Sequence, residues 1–371
     1  MLGGGQLGRM LIQSAIDFQI EVHSLDPDPD APCLPYSHKF TCGKLTDYDT
    51  VLAFAADADV VTVEIENVNT DALAELERQG KAVYPQPSVL RLIQDKSLQK
   101  QFYTDNGIPT SAFILTADSA EVAANAHLLP AVHKLAREGY DGRGVQKLQS
   151  AADLHKAFDK PGVLEQLVDI EKEISVIVAR SRAGEVAVYP AVELVYHPEK
   201  NLVEYLLSPA RLSPAHVASA EALARTVIEK LDMVGLLAVE MFLDKAGNIL
   251  VNEVAPRPHN SGHQTIKAAF TSQYEQHWRA ILGYPLGSTD TLSPSAMVNL
   301  LGEEGETGEA DYEGLTQALA LPGVYPHLYG KKNTKPFRKM GHITILDPDF
   351  ESLQKKTAQV REWVKVKAKK G

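Results

Sequence analysis

The chain has 371 residues, too many for one ordinary hydrophobic core, so two or three domains are expected. Its 37 basic and 48 acidic residues leave a net charge of −11, which disfavours nonspecific nucleic-acid binding, and no apolar run reaches the length of a membrane span. Cys33 and Cys42 lie in a Pro-rich stretch with no pairing pattern, and no signal peptide precedes the first glycines, which points to a reducing cytoplasm.

The first hundred residues alternate helix and strand. Gly3-Gly4-Gly5-Gln6-Leu7-Gly8 opens a helix running to about Phe18. A strand ending at Asp26 follows, then a Pro-rich loop over 27–35, a buried strand over 57–66 and a short strand in AVYP between two helical stretches. Such alternation predicts a parallel, doubly wound sheet. Only Met1 and Leu2 precede the glycines, where a sheet strand takes about five residues. The expectation is either a truncated N-terminus or a stunted first strand. Gly3-x-Gly5-x-x-Gly8 matches a dinucleotide fingerprint, with Asp26 where a ribose-binding acid would sit. A tight strand-to-helix turn needs glycines whatever it binds, and the helix N-terminus would in either case favour an anion such as a phosphate.

One helix is predicted over residues 88–106, and the turn Gly107-Ile-Pro-Thr110 reads as a boundary. Residues 107–168 form a small mixed segment with strands ending in Ala131-Val-His-Lys134 and spanning Val145-Gln-Lys-Leu148, separated by a Gly-rich loop. From 169 to 371 the pattern is that of an antiparallel sheet (strands over 174–178, 187–189, 236–243 and 249–254) with helices over 214–231 and 273–282. The acidic stretch 303–313 reads as an exposed loop and the basic tail 365–370 as a frayed end. The domains expected are therefore 1–106, 107–168 and 169–371.

Two glutamates carry the most information. Glu240 in LLAVEMFLD and Glu253 in NILVNEVAP flank a turn at Lys245-Ala246-Gly247-Asn248. A turn centred on Ala246-Gly247 puts them directly opposite, with Cβ atoms about 5 Å apart. Two carboxylates that close among apolar neighbours repel, and a divalent cation such as Mg²⁺ held together with nucleotide phosphates relieves the strain. The competing reading is a register one residue off, with one glutamate solvated at an edge.

Lys134 and the loop Glu138-Gly139-Tyr140-Asp141-Gly142-Arg143-Gly144 have the glycines of a phosphate-covering lid, or of an ordinary hairpin with a surface lysine. Glu165 and Glu173 bracket a connector and, taken alone, are solvated glutamates. The loop from Asn252 and Glu253 through Arg257, His259 and His263 crowds polar and cationic groups after a buried strand, and Arg257 is suited to clamp an oxyanion. Lys331, Arg338 and Lys339 belong to a basic cluster that is either a solvated loop or a phosphate or bicarbonate site.

Together GGGQLGRM, VTVEIENV, GYDGRG, NEVAPRPHNSGH, TSQYEQHWRAILG and RKMGHIT resemble the N5-carboxyaminoimidazole ribonucleotide synthetases, ATP-grasp enzymes of de novo purine synthesis, from Gly3 to about Ile345. The resemblance implies an α/β and α+β architecture: a doubly wound parallel-sheet domain, a central lid and an antiparallel-sheet ATP-grasp domain. It implies an ATP- and bicarbonate-dependent carboxylation of 5-aminoimidazole ribonucleotide through carboxyphosphate, with Mg²⁺ as cofactor and a homodimer as assembly.

Carried onto this chain, it implies that Glu240 and Glu253 hold Mg²⁺ with Asn252 beside them. Lys96 and Lys134 would contact nucleotide phosphates; Glu165, Gln166, Leu167 and Val168 would line the adenine pocket; Glu173 and Tyr196 would serve the nucleotide. The loop Gly139, Tyr140, Asp141, Gly142, Arg143 and Gly144 would close over the phosphates. Tyr140, Asp141 and Arg143 would also meet the aminoimidazole, with Asp141 the base for its amine. Arg257, His259 and Lys331 would cradle bicarbonate, Arg338 and Lys339 the ribonucleotide phosphate, and Glu66 would face the ribonucleotide. Departures are Glu138 and Phe337 where the family usually has Gly, Tyr196 where it often has His, and His133 where an apolar residue is normal. The alternatives are an ATP-grasp ligase with another acceptor, a nucleotide sensor, and an NAD(P)-dependent oxidoreductase.

Overall fold

The computed structural model describes residues 1–137, 144–196 and 202–370. The N-terminal sheet is parallel. Strand His23–Asp26 pairs with Lys39–Cys42, and Val60–Val61 pairs with Ala82–Val83. Leu2 lies between these halves, with single parallel bridges to Leu25 and to Val63. Leu2 is thus a ladder position at the sheet centre, fully buried among Leu25, Val61, Val63 and Leu73. The expected strand over 57–66 is regular only at Val60–Val61, and its remainder runs irregularly to Glu66. The first helix spans Gln6–Ala15 and tightens into a 3₁₀ turn, Ile16–Phe18.

The single helix expected over 88–106 is two, Pro87–Ile93 and Lys96–Asp105. Asp95 breaks it: its side chain accepts from the N–H groups of Ser97 and Leu98, so it caps a new helix. Lys96 then opens that helix. Its N–H donates to Ala136 O, at the end of a four-stranded antiparallel sheet ordered Phe113–Thr116, Gly162–Gln166, Ala131–Leu135, Val145–Leu148.

A nine-stranded antiparallel sheet forms the largest layer. The strands Ile170–Arg180, Gly235–Asp244 and Ile249–Ala255 lie side by side at one end of it. One face carries Ile174, Val176, Val178, Leu237, Val239 and Met241 against the helix Pro214–Lys230. Period-two alternation turns Glu173, Ser175 and Glu240 to the other face. The strands over 192–196, 203–208, 295–301, 324–328 and 339–346, with Val186–Val188 paired to Ile170–Arg180 off the main path, complete the sheet.

Two expectations about charged segments fail together. The acidic stretch and the basic tail are not a loop and a frayed end: Gly308–Glu313 pairs antiparallel with Lys365–Ala368. Opposite charges meet across the ladder, with Lys367 Nζ 2.5 Å from Glu313 and Lys369 paired to Glu309. Cross-strand attraction, with Val366 buried at 1% exposure, holds the tail down.

Candidate active site

The two glutamates face each other: Glu240 is the ladder partner of Glu253. The reason differs from the expected turn. Near the turn the register is Leu243↔Ile249, Phe242↔Leu250 and Met241↔Val251, which would put Asn252 opposite Glu240. A bulge at Asn252 shifts the register by one and brings Glu253 into place. Burial first, then Glu253 and Glu173, push the Glu240 carboxyl well above the usual carboxylate range. Lys96, 3.3 Å from Glu253 Oε2, outweighs burial there and holds the Glu253 carboxyl below the usual range. Within one pair, then, one carboxyl is disposed to keep a proton and the other to lose it.

His259 donates to this centre. Its Nδ1 accepts from Ser261 N at 3.3 Å, so the proton sits on Nε2, which lies 3.2 Å from Glu240 Oε1. Burial, reinforced by Arg257 and Lys339, holds the ring neutral. Ser261 Oγ is 2.9 Å from the same Nδ1 and 2.8 Å from Ser175 Oγ, so two buried serines fix the imidazole. Arg257 Nε lies 2.9 Å from Glu66 Oε2, which joins the N-terminal domain to the polar loop.

Lys134 meets the centre from the four-stranded sheet. Its Nζ donates to Asn252 Oδ1 at 2.9 Å and lies 3.1 Å from Glu165 Oε1. The Glu165 carboxylate therefore lies under Lys134. Burial opposes its ionisation, but Lys134 and Lys100 outweigh that and hold it charged. Gln166, Leu167 and Val168 line a cleft of about 520 Å³ with Thr110, Leu250 and the hairpin tip. Glu173 is hydrogen-bonded by Tyr196, and burial raises its carboxyl despite that bond.

Lys331 Nζ donates to Lys339 O at 2.7 Å and lies over the Tyr329 ring, and Arg338 donates to Asn333 O. Lys339 is close enough to lower both Glu240 and His259 electrostatically. Phe337, in place of the usual Gly, has φ 62°, the left-handed backbone a Gly adopts without cost. His133 is buried, 3.2 Å from Thr116 Oγ1. Glu138, Gly139, Tyr140, Asp141, Gly142 and Arg143 lie outside the described residues; Gly144 is described and adopts φ 70°.

In the N-terminal glycine motif two of the backbone N–H groups are taken by carboxylates of the chain itself. Leu7 N donates to Glu64 Oε1 at 3.1 Å and Gly4 N to Asp26 Oδ2 at 2.7 Å. A Cβ on Gly5 would stand 2.5 Å from Glu64 Oε1 and one on Gly3 2.7 Å from Oε2, so the glycines here admit a carboxylate. That removes the main support for a dinucleotide at this turn.

Glu64 and Lys100 were not singled out in the sequence, yet both are central and buried. The signals were present: Glu64 lies two residues before Glu66 on an extended segment, and Lys100 four after Lys96 on a helix. Among the described residues no cluster of three or more His, Cys, Asp or Glu is arranged as a metal site. Two carboxylates suit Mg²⁺, which usually takes one or two from protein and the rest from water and phosphates.

The ribonucleotide synthetase preATP-grasp domain family matches residues 1–94, the ATP-grasp domain family 101–274, and the phosphoribosylaminoimidazole carboxylase C-terminal domain family 295–356. The chain is 38% identical to the N5-carboxyaminoimidazole ribonucleotide synthase of Synechococcus elongatus, over 93% of this chain and 88% of that one. It is also 38% identical to the chloroplastic phosphoribosylaminoimidazole carboxylase of Vigna aconitifolia, over 98% of this chain but 66% of that longer protein. The solved N5-carboxyaminoimidazole ribonucleotide synthetase of Thermotoga maritima superposes with TM-score 0.91 at 40% identity, covering 99% of this chain and 98% of that one. An Aspergillus clavatus N5-carboxyaminoimidazole synthase in complex with ADP and 5-aminoimidazole ribonucleotide gives TM-score 0.89 at 33% identity, covering 97% and 96%. The chain therefore belongs to the N5-carboxyaminoimidazole ribonucleotide synthetase family of ATP-grasp carbon–nitrogen ligases.

Proposed function

We propose how this site performs the family reaction, the ATP-dependent carboxylation of 5-aminoimidazole ribonucleotide. The observation that carries the reading is the opposed Glu240–Glu253 pair beside Lys96, Lys134 and Asn252. ATP transfers its terminal phosphoryl group to a bicarbonate oxygen, giving ADP and carboxyphosphate. The exocyclic amine then attacks the carbonyl carbon, phosphate leaves and the amine loses a proton.

Phosphoryl transfer asks for positioning and charge neutralisation. Glu240 and Glu253 are the residues to hold Mg²⁺, which would neutralise charge on the phosphates. Lys96 and Lys134 hold phosphate oxygens. Gln166, Leu167 and Val168 line the cleft for the base, with Glu173 and Tyr196 at the ribose. Arg257 and His259 orient bicarbonate, the neutral imidazole turning its Nε2–H hydrogen bond from Glu240 to the oxyanion when bicarbonate enters. Lys331 serves the same oxyanion from the basic cluster. Glu66, Arg338 and Lys339 bind the ribonucleotide. Asp141 accepts the amine proton, and Tyr140 and Arg143 of the same loop position the substrate. Carboxyphosphate hydrolyses readily, so residues 107–168 act as a lid that excludes water. The three-domain division, a homodimeric assembly and a cytoplasmic setting complete the proposal.

The test is ADP release from Mg-ATP and bicarbonate, with and without 5-aminoimidazole ribonucleotide. Strong stimulation with one ribonucleotide consumed per ADP is expected. Nucleotide binding without stimulation would overturn the acceptor assignment.

A further inference from the structure

Beneath Lys134 lies a second lysine that the reaction described above does not use. Lys100 sits one helical turn after Lys96 and is 2% exposed. Its Nζ donates to Thr110 Oγ1 at 2.6 Å and Ser111 Oγ at 3.1 Å, and lies 3.1 Å from Glu165 Oε2. Ser111 Oγ passes a hydrogen bond on to the same carboxylate oxygen at 2.7 Å. The other oxygen, Oε1, faces Lys134 Nζ at 3.1 Å. One carboxylate is thus shared between two ammonium groups from two different elements.

Charge balance does not account for this. Glu165 with Lys134 is already a neutral pair, and a second buried ammonium costs desolvation. Burial lowers the Lys100 ammonium to about 8 although Glu165 opposes that shift. What the second ammonium changes is the hold of Glu165 on Lys134. A carboxylate whose one cationic partner was Lys134 would compete with any phosphate for that ammonium. With Oε2 committed to Lys100 and Ser111, Glu165 orients Lys134 through Oε1 alone and with reduced charge. Lys134 has three N–H donors, of which Glu165 and Asn252 take two.

We propose that Lys100 is a positioning residue for nucleotide binding: by sharing the Glu165 carboxylate it keeps the Lys134 ammonium oriented and available to the phosphates. The inference rests on the reading that Lys134 meets nucleotide phosphate.

The experiment measures Mg-ADP affinity by calorimetry, and KM and kcat for ATP, on the full chain carrying Lys100→Met, Lys100→Arg, Lys134→Met, or Lys100→Met with Glu165→Gln. Lys100→Met is expected to weaken Mg-ADP binding and raise KM for ATP about tenfold with kcat within about twofold. Lys100→Arg restores most of the affinity. The double variant binds more tightly than Lys100→Met alone, because the competing carboxylate is gone. Where Lys100→Met fails to fold, Lys100→Gln, which keeps a donor to Thr110, takes its place. Lower thermal stability with unchanged nucleotide affinity in a folded Lys100 variant would overturn the proposal and leave Lys100 structural. Unchanged affinity in Lys134→Met would instead overturn the premise about Lys134.

Discussion

Glu64→Gln should change the pH dependence of stability in a calculable way. Glu64 is 7% exposed beside the glycine loop, and burial pushes its carboxyl from 4.5 up to about 7, against the pull of Arg257 and the Gly8 and Leu7 N–H groups. The folded chain therefore holds this proton more tightly than the unfolded chain. Stability from this group is complete below pH 4.5 and falls as pH rises through 7. From a shift of that size, ionisation costs the folded state about 1 kcal/mol at pH 5 and about 3 kcal/mol at pH 8.5. Glutamine keeps an acceptor for Leu7 N and cannot ionise. The variant should gain about 2.5 kcal/mol on the parent between pH 5 and pH 8.5. Urea unfolding can be followed by Trp278 fluorescence, since its indole donates to Leu11 O on the adjoining helix. Parallel stability curves for parent and variant across that range would refute the reasoning.

Glu253→Gln removes one of the two carboxylates proposed for Mg²⁺, and a metal-held phosphoryl oxygen is worth several kcal/mol. Mg-ATP turnover should fall on the order of 100-fold or more with folding retained; unchanged turnover would sink the metal assignment. His277 is buried with Nε2 2.9 Å from Thr62 Oγ1, and burial lowers its ring from 6.5 to about 4. The unfolded chain protonates first, so stability is lost as pH falls from 6.5 towards 4. At pH 5 this amounts to about 2 kcal/mol, which His277→Gln should abolish from the acid limb of a urea-midpoint profile. Asp95→Ala removes the cap that starts the helix at Lys96 and should cost about 1 kcal/mol. It should also weaken Mg-ADP binding because Lys96 is mis-set; calorimetry reporting full affinity would separate the cap from the site.

What the sequence by itself determined is local. Alternation in residues 1–100 gave the parallel sheet, because covering both faces of the sheet with helices leaves few other arrangements. Apolar runs around Glu240 and Glu253 gave the hairpin, and the GYDGRG and APRPHNSGH motifs gave the family. What only the tertiary structure decided is which charge meets which. A bulge at Asn252, invisible in composition, sets Glu253 opposite Glu240. The side chain of Asp95 splits a helix that propensity would continue. Glu165, an ordinary surface glutamate by statistics, becomes buried because Lys100 and Lys134 reach it from a helix and a strand distant in the chain. The basic tail pairs with an acidic strand some fifty residues away. Periodicity records whether a residue faces a core; it carries no record of the partner, and electrostatic energy depends on the distance to that partner, which folding alone sets.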